Sequence, residues 1–164
     1  MTRIKIFIGA DHRGFELKNK IASILSKKNF EVVDVGTFQP DPPCDYPKIS
    51  YEVARRVAQI KNARGILVCM TGIGHAIAAN KVPGAYAALC YNKEAALLSR
   101  EYNNANILVL GAKFVSTKQM LSIIDVWLKA EFTGGRHLRR VNQIKQIEKK
   151  VCPAISDSNA KVLN

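Results

Sequence analysis

A cysteine in front of a glycine-rich turn is the residue best suited to acid–base chemistry in this sequence. Cys69 lies near the end of the apolar segment 66–70, shortly before the turn TGIG at 71–74. A thiol close to a helix N-terminus is expected to lose its proton more readily than a free thiol. The thiolate could then remove a proton next to a carbonyl, while backbone N–H groups stabilise the enediolate that forms. The alternative is a buried structural cysteine, which is the commoner kind.

The turn at 71–74 has the composition of an anion-binding loop. Glycines between a strand and a helix let backbone N–H groups point outward, and the helix N-terminus adds positive potential. No Gly-Lys-Ser/Thr follows, so it is not a P-loop, and the first apolar segment lacks the dinucleotide pattern G-x-G-x-x-G. A tight turn needs glycine in any case, so the anion hole and the simple turn both remain open.

Four further side chains are candidates for contact with a phosphorylated or hydroxylated ligand. Asp11 and His12 follow the first apolar segment, where Asp11 could bind ligand hydroxyls or only cap the next helix. Arg136 and Arg140 are four residues apart and share one helix face, which suits a phosphate group, although a solvated basic face has the same pattern. His75, at the start of a short predicted helix, is interpreted as a surface residue rather than a base.

The pattern of apolar residues predicts how these side chains are positioned. Short apolar segments predict strands at 4–9, 31–35, 66–70, 86–90 and 107–110. Helical periodicity predicts helices at 15–28, 48–62, 75–81, 93–100, 116–131 and 136–150, with a loop at 37–47. This alternation predicts an α/β fold with a five-stranded parallel sheet between two helical layers. If the first and third strands are neighbours, the loops 11–14 and 69–74 should meet at their carboxyl ends.

Length and composition predict one folded domain. The chain has 164 residues, of which 48% are hydrophobic, so a single domain at 1–151 and a polar tail at 152–164 are expected. No apolar segment has the length of a membrane span. The N-terminus has no signal-peptide pattern, which predicts a cytoplasmic location and no membrane partner.

Charge and cysteine spacing argue against two other classes of protein. The net charge is +12, but the basic residues are scattered and are not interleaved with aromatic residues, so nucleic-acid binding is not expected. A solvated basic surface or a small anionic substrate explains the charge better. The cysteines at 44, 69, 90 and 152 form no zinc-binding spacing, and we expect free thiols and no metal site.

Five segments resemble one known family in the same order along the chain. They are GADHRGFELK (9–18), DYP (45–47), GILVCMTGIGHAIAANKVPG (65–84), LSREYNNANILVLGAK (98–113) and EFTGGRHLRRV (131–141). They resemble the ribose-5-phosphate isomerase B and galactose-6-phosphate isomerase family. The resemblance implies a Rossmann-like sandwich and metal-free aldose–ketose isomerisation through a cis-enediol, without a cofactor. It also implies a homodimer or dimer of dimers that shares active sites between subunits. The last predicted helix carries an apolar stripe that is typical of a helix docked on a partner subunit, formed by Leu138, Val141, Ile144 and Ile147.

The resemblance also implies a role for individual residues. Cys69 would be the base that moves a proton between C1 and C2. The anion hole would be lined by Thr71 and by the backbone of Gly72 and Gly74. Sugar oxygens would be met by Asp11, Asp45, Tyr46 and Asn103. The phosphate would be bound by His12, Lys113, Arg136 and Arg140.

This sequence departs from the family pattern at two positions and has an unusual residue at a third. Met70 replaces a glycine, which adds a side chain at the mouth of the anion hole and would be unfavourable if the backbone there had a positive φ. Tyr102 occupies the position of a histidine that is the expected acid/base for opening the sugar ring, and a phenol exchanges its proton less readily at neutral pH. His75 stands where another branch of the family has a carboxylate base.

The sequence therefore predicts an isomerase that interconverts ribose 5-phosphate and ribulose 5-phosphate. One alternative is the same reaction on another sugar phosphate, such as a hexose 6-phosphate. The other is a non-catalytic subunit that binds a sugar phosphate, for which the loss of the histidine argues and the presence of Cys69 argues against.

Overall fold

A parallel β-sheet forms the centre of the computed structural model, which describes residues 3–28 and 30–152. Its strands are β1 (Lys5–Ala10), β2 (Glu31–Gly36), β3 (Arg64–Cys69), β4 (Ala87–Leu89) and β5 (Ile107–Gly111). They are arranged in the order β2-β1-β3-β5-β4, and all pairs are parallel. Every residue of β5 is buried, whereas the three residues of β4 are half-buried. The shorter strand therefore lies at the edge of the sheet, which is where short strands are tolerated.

The described part of the chain forms six helices, and helices cover both faces of this sheet. They are α1 (Phe15–Lys27), α2 (Tyr46–Gln59), α3 (Ile73–Ala79), α4 (Lys93–Asn103), α5 (Thr117–Lys129) and α6 (Arg136–Val151). Side chains of α1, α4 and α5 pack with Ile6, Ile8 and other residues of one sheet face. Side chains of α2 and α3 pack with Phe7 and its neighbours on the opposite face. Because alternate residues of a strand point to opposite faces, β1 contributes to both cores, and the predicted three-layer α/β sandwich is confirmed.

The observed helices differ from the predicted ones at their ends, where the local pattern is weakest. The helix α2 begins at Tyr46, inside the predicted loop, and Pro47 is in its first turn, where a missing N–H leaves no bond unmade. The helix α4 continues through Asn103, and its C-cap residue Asn104 has a left-handed φ of 51°. Of the predicted polar tail, residues 153–164 lie outside the described part of the chain.

The described helices do not have the character of membrane spans. Across residues 3–28 and 30–152, every helix is too short or too polar to cross a lipid bilayer.

A buried lysine links α1 to the carboxyl end of β2. Lys18 is 0% exposed, and its Nζ donates to Asp34 Oδ2 and, at 2.7 Å, to the Thr37 carbonyl. The rings of Phe15 and Phe38 lie 5.5 Å from the same ammonium group. A charge this far from water depends on its partners, because an unpaired buried ion is strongly unfavourable.

We expect Asp34→Asn to destabilise the protein by about 3 kcal/mol, because it leaves the Lys18 ammonium buried without a counter-charge. Urea denaturation measures this loss. The control is Glu31→Gln, which breaks the solvent-exposed pair between Lys5 and Glu31 and should cost less than about 1 kcal/mol. Equal losses in the two variants would mean that the Lys18 pair contributes no more than a surface pair.

Candidate active site

The carboxyl ends of β1 and β3 bring Asp11 and Cys69 into contact. Ala10 pairs with Val68 at the end of the shared ladder, so the next residue of each strand follows at the same edge of the sheet. Cys69 Sγ donates a hydrogen bond to Asp11 Oδ2 at 2.9 Å, in a buried position. The two loops that the strand pattern predicts to meet are therefore directly bonded through their side chains.

The other oxygen of Asp11 is fixed by the turn that follows it. Asp11 Oδ1 accepts hydrogen bonds from the backbone N–H groups of Arg13 and Gly14, both at 3.0 Å. This is an Asx-turn, in which an aspartate bonds to the backbone two or three residues further along. Gly14, rather than Asp11, occupies the N-cap position of α1. Oδ1 thus holds the side chain in place, and Oδ2 is left for the thiol.

The environment of Cys69 keeps its proton on the sulfur in the resting site. Burial raises the pKa of the thiol, and the hydrogen bond to Asp11 raises it further. The backbone N–H groups of Gly72 and Thr71 act in the opposite direction but do not reverse the effect. The expectation from the sequence that a nearby helix start favours the thiolate is therefore wrong for the resting state, because desolvation and a negative neighbour outweigh the backbone N–H groups.

The glycines of the turn allow close approaches that a side chain would prevent. Gly72 has a φ of 80°, and a Cβ there would lie 2.6 Å from a methyl carbon of Leu89. A Cβ on Gly74 would lie 2.5 Å from the ring of Tyr46. The turn therefore packs under Tyr46 on one side and against β4 on the other. Thr71 is half-buried in the same turn, and its Oγ1 accepts a hydrogen bond from the N–H of Ile73 at 3.3 Å.

Met70 is accommodated at the mouth of this site without backbone strain. Among the described residues, only Asn62 and Asn104 combine a side chain with a positive φ, so the concern raised by the replacement of glycine does not apply. Arg13 Nη1 lies 2.7 Å from Met70 Sδ. The Lys113 N–H donates to the Met70 carbonyl at 2.8 Å. Met70 is therefore bordered by two cationic residues.

His12, Asp45 and Tyr46 lie at the same edge, around the start of α2. His12 Nδ1 is 3.3 Å from both the backbone N and the carbonyl O of Cys44, which holds the imidazole through one nitrogen. Asp45 is the N-cap residue of α2, and its exposed carboxylate caps no backbone N–H. Tyr46 is 39% exposed, so part of its ring faces solvent beside the turn.

His75 is buried, contrary to its interpretation as a surface residue. Its side chain is 0% exposed, because α3 begins at Ile73 and turns this position towards α2. His75 Nδ1 is 2.6 Å from Ser50 Oγ, and the ring lies 5.7 Å from that of Tyr46. Burial lowers the pKa of His75 to about 4, and the charge of Asp11 raises it slightly in return. The imidazole is therefore neutral at physiological pH.

The remaining predicted residues lie at the opposite end of the sheet, where the parallel strands begin. Tyr102 and Asn103 end α4, and the chain then enters β5 at its amino end. The Asn106 carbonyl accepts from the N–H of Gly65, at the start of β3. Strand β3 is about 16 Å long at the usual rise of 3.3 Å per residue. The amino end of the sheet is therefore well separated from Cys69, which lies at the carboxyl end. The structure therefore divides the predicted site into two groups.

The two arginines belong to this second group because the start of α6 is tied to the end of α4. Thr133 N and Oγ1 both bond to the carbonyl of Glu101, at 3.0 and 2.8 Å. The ring of His137 stacks on Tyr102, with centroids 4.1 Å apart and an interplanar angle of 4°. Arg136 and Arg140, on either side of His137, are exposed.

Three residues at these sites were not identified from the sequence. Arg13 lies within a segment that resembles the family, but its contact with Met70 joins residues 57 positions apart. Ser50 lies on the buried face of α2, where a serine has no chemical signature. His137 lies in a basic segment of the sequence that gives it no distinct role, and its position next to Tyr102 is a tertiary contact. None of the three contacts has a signal in the local sequence pattern.

The geometry and the comparisons together define the class of protein. Residues 6–144 match the family described as Ribose/Galactose Isomerase, and the chain belongs to this family. It is 44% identical over 146 residues to the "Probable ribose-5-phosphate isomerase B" of Mycoplasma genitalium, covering 88% of this chain and 96% of the relative. It is 42% identical to the ribose-5-phosphate isomerase B of Escherichia coli, covering 89% and 97% of the two chains.

Solved structures agree with this assignment. The ribose-5-phosphate isomerase B of Clostridium thermocellum has 51% identity and a TM-score of 0.87, covering 90% of this chain and 99% of that one. The Mycoplasma genitalium enzyme, solved with bound ribulose 5-phosphate, has 42% identity and a TM-score of 0.88, covering 92% and 99%. The family resemblance found in the sequence is confirmed.

The burial of His75 predicts a specific loss of stability in acid. Its pKa is about 4 in the folded protein and about 6.5 when unfolded, so between these values the folded state binds fewer protons. Stability should therefore fall as the pH is lowered through that range, by up to about 3 kcal/mol from this residue. The ionisable groups around His75 are Asp11, Cys69 and Tyr46. Its hydrogen-bond partner Ser50 does not ionise.

The measurement is the free energy of unfolding at several pH values between 7 and 4 for the wild type, His75→Leu and His12→Gln. His75→Leu should flatten the pH dependence, whatever its own stability at pH 7. The control variant His12→Gln should keep the wild-type slope, since His12 is only half-buried. An unchanged slope in His75→Leu would mean that this imidazole is not held neutral by burial.

Proposed function

We propose that the protein interconverts ribose 5-phosphate and ribulose 5-phosphate, with Cys69 as the base. The observation that carries this proposal is the buried Cys69–Asp11 pair beside the glycine turn at 71–74. The names of the relatives in Escherichia coli and Clostridium thermocellum support the same substrate. Isomerase assays on a panel that includes ribose 5-phosphate and a hexose 6-phosphate test the choice of sugar directly.

The proposed reaction begins with removal of the proton from C2 of the open-chain aldose by the Cys69 thiolate. The C1 carbonyl oxygen takes up the negative charge, which gives a cis-enediolate. Transfer of the hydroxyl proton from the C2 oxygen to the C1 oxygen, and return of the proton held by Cys69 to C1, yields the ketose and restores the thiolate. The Thr71 hydroxyl and the backbone N–H groups of Gly72 and Gly74 would stabilise the charged oxygens, because donors fixed in a dry site do not need to reorganise.

Asp11 supports two parts of this scheme. The resting thiol already donates to Asp11 Oδ2, so the carboxylate is the nearest acceptor for the proton that Cys69 must lose. Once a substrate occupies the site, the same oxygen is within reach of sugar hydroxyls bound over the turn. Asp45 and Tyr46, at the start of α2, would meet further hydroxyls of the sugar.

The phosphate would be bound by cationic groups of two chains. His12 and Lys113 lie at the carboxyl end of the sheet, where Cys69 is, whereas Arg136 and Arg140 lie at the amino end. A single chain therefore does not bring the predicted phosphate ligands together. A second copy would, if the start of its α6 docked next to the turn of the first.

The exposed face of α6 supports this arrangement. Arg136 and Arg140 are followed on the same face, at steps of three or four residues, by the exposed side chains of Ile144, Ile147 and Val151. The predicted apolar stripe on this helix is different from the observed one, because Val141 packs inward against its own chain. An apolar face that ends in two arginines would place those arginines at the rim of an interface.

A complementary apolar surface lies beside the catalytic turn. Ile73 and Ile77 are one helical turn apart on α3, and both are at least half exposed. Covering them with α6 of a second copy would bury both apolar surfaces and complete two equivalent sites by two-fold symmetry. We therefore propose a homodimer as the minimal active unit, with a dimer of dimers as a larger form.

Ring opening is the step for which Tyr102 and Asn103 are proposed. The stacked pair of Tyr102 and His137 places an imidazole next to the phenol. Burial, together with the charges of Arg136 and Arg140, lowers the pKa of His137, which favours the neutral ring. The pair thus contains a group that exchanges protons, even though the residue at 102 is a tyrosine.

Two further features of the proposal concern the chain as a whole. We propose a cytoplasmic location, since all four cysteines are free and free thiols suit a reducing compartment. We also propose that residues 1–151 act as one isomerase domain, followed by a polar tail.

The first test is the replacement of the proposed base. Cys69→Ala should lower kcat on ribose 5-phosphate by at least about 10²-fold, the usual contribution of a general base. The matched control is Cys90→Ala, an equal truncation of a second buried cysteine, which should retain turnover. Near-normal turnover by Cys69→Ala would remove Cys69 as the base, and no turnover of any aldose phosphate by the wild type would favour a binding subunit.

The second test is complementation between two inactive variants. Cys69→Ala and the double variant Arg136→Ala/Arg140→Ala should each have a low kcat/KM. In a dimer with shared sites, co-expression should restore about a quarter of the wild-type activity, because half of the dimers are mixed and each has one intact site. Activity no higher than that of the separate variants would mean that each chain forms its site alone.

A further inference from the structure

Three side chains with metal-binding atoms converge at the carboxyl ends of β1 and β3. Asp11, Cys69 and His75 are 5%, 9% and 0% exposed. One carboxylate oxygen, the thiol sulfur and one imidazole nitrogen all lie within 4.8 Å of one another. Asp11 comes from the loop after β1, Cys69 from β3 and His75 from α3, so the cluster is a product of the fold.

The imidazole of His75 is oriented with one nitrogen available. The hydroxyl proton of Ser50 is assigned to the Tyr46 carbonyl at 2.9 Å, so His75 Nδ1 carries the proton and donates to Ser50 Oγ. His75 Nε2 is then a buried lone pair, and it has no hydrogen-bond partner among the described residues. A buried polar atom without a partner is unfavourable, which indicates that a ligand would be stabilising here.

We propose that Asp11, Cys69 and His75 bind a zinc-class divalent cation, with the carboxylate, the thiolate and the imidazole Nε2 as ligands. Three protein ligands leave a fourth position open, as in zinc sites that also hold water. The carboxylate and the thiolate together carry two negative charges, which the cation neutralises. Ser50 acts as a positioning residue, because a hydrogen bond to the far nitrogen fixes the orientation of a ligating histidine.

The dimensions of the cluster are compatible with a tetrahedral ion after a small adjustment. For usual zinc bond lengths, the sulfur and oxygen ligands are about 3.6 Å apart, whereas Cys69 Sγ and Asp11 Oδ2 are separated by 2.9 Å across a hydrogen bond. Replacing the proton between them with a cation requires them to move apart by about 0.7 Å. The imidazole nitrogen lies within 4.8 Å of both, so a shift of side chains by about an ångström brings all three atoms to the spacing of a zinc ion.

The ligand set selects the class of cation. A thiolate and an imidazole favour zinc, cobalt and related ions, whereas magnesium and calcium prefer oxygen ligands. Binding releases the proton of Cys69 to solvent, since the sulfur must ligate as the thiolate. The cation would be an inhibitor and not a cofactor, because it occupies the sulfur that removes the substrate proton. The binding itself is independent of the proposed function, and only the inhibition rests on it.

Cobalt is the appropriate probe, since its spectrum reports both thiolate ligation and tetrahedral geometry. Untagged, reduced protein carrying Cys44→Ser and Cys152→Ser, which removes the two cysteines outside the buried interior, is titrated with Co²⁺. We expect a thiolate-to-cobalt charge-transfer band that saturates at one cobalt per chain, together with tetrahedral visible bands. Zinc should displace the cobalt and abolish the spectrum.

Variants of the individual ligands identify the site. His75→Leu and Asp11→Asn should each weaken cobalt binding at least about tenfold, and Ser50→Ala should weaken it by about 10–100-fold while leaving all three ligands in place. Asp11→Asn retains an oxygen for the Arg13 and Gly14 N–H groups, so it tests the ligand if His75→Leu does not fold. Cys90→Ala is the control and should bind cobalt as the parent protein does.

The outcomes separate this inference from the proposed function. The absence of a charge-transfer band, or a band unchanged in both His75→Leu and Asp11→Asn, would overturn the cation site. Cation binding without loss of isomerase activity would support the site and contradict the role of Cys69 as the base. A missing band combined with an inactive Cys69→Ala variant would leave the proposed function supported and the cation site refuted.

Discussion

The parallel pairing of β1 with β3 is the constraint on which the candidate site depends. The ladder places Ala10 opposite Val68, and Asp11 and Cys69 therefore leave the sheet side by side. A register shift of one residue would turn each side chain of one strand to the other face and would separate the thiol from the carboxylate. The glycine turn, the Asx-turn and the start of α3 all build on this fixed edge.

Burial then determines the chemical state of the side chains that the strands bring together. The thiol of Cys69 and the imidazole of His75 are both buried. Burial raises the pKa of the thiol and lowers the pKa of the imidazole, so each group is held in its uncharged form. Asp11 is the charged member of the cluster, and two backbone N–H groups hold it in place. Such an interior responds strongly to an arriving charge, whether it develops on a substrate oxygen or is carried by a cation, because little solvent screens it.

The surface around this interior carries basic residues. Arg13 and the Lys113 backbone border Met70 at the mouth, and the imidazole of His12 is fixed against the loop before α2. In the proposed function, the buried pair of Cys69 and Asp11 would move a proton, and the basic groups around it would attract the phosphate of the substrate. The arginines of α6 would add to the same rim only through a second copy of the chain.

How far the sequence determined the protein depends on the range of the interactions involved. Alternation of strands and helices and the periodicity of apolar residues are local properties, so the α/β sandwich and nearly all its elements could be predicted. The segments from GADHRGFELK to EFTGGRHLRRV identified the family, because their order along the chain is itself information in the sequence. The helix boundaries near Tyr46 and Asn103 were predicted less accurately, since capping and proline placement compete within one turn of the helix.

The properties that only the tertiary structure decided are those that depend on neighbours distant in the chain. The state of the Cys69 thiol depends on Asp11, 58 residues away, and the burial of His75 depends on Ser50 and Tyr46 in another helix. Likewise, the separation of Tyr102, Arg136 and Arg140 from Cys69 follows from the opposite ends of the sheet at which α4 and β3 end. Hydrogen bonding and desolvation act through space over a few ångströms, and residue spacing along the chain does not record that distance.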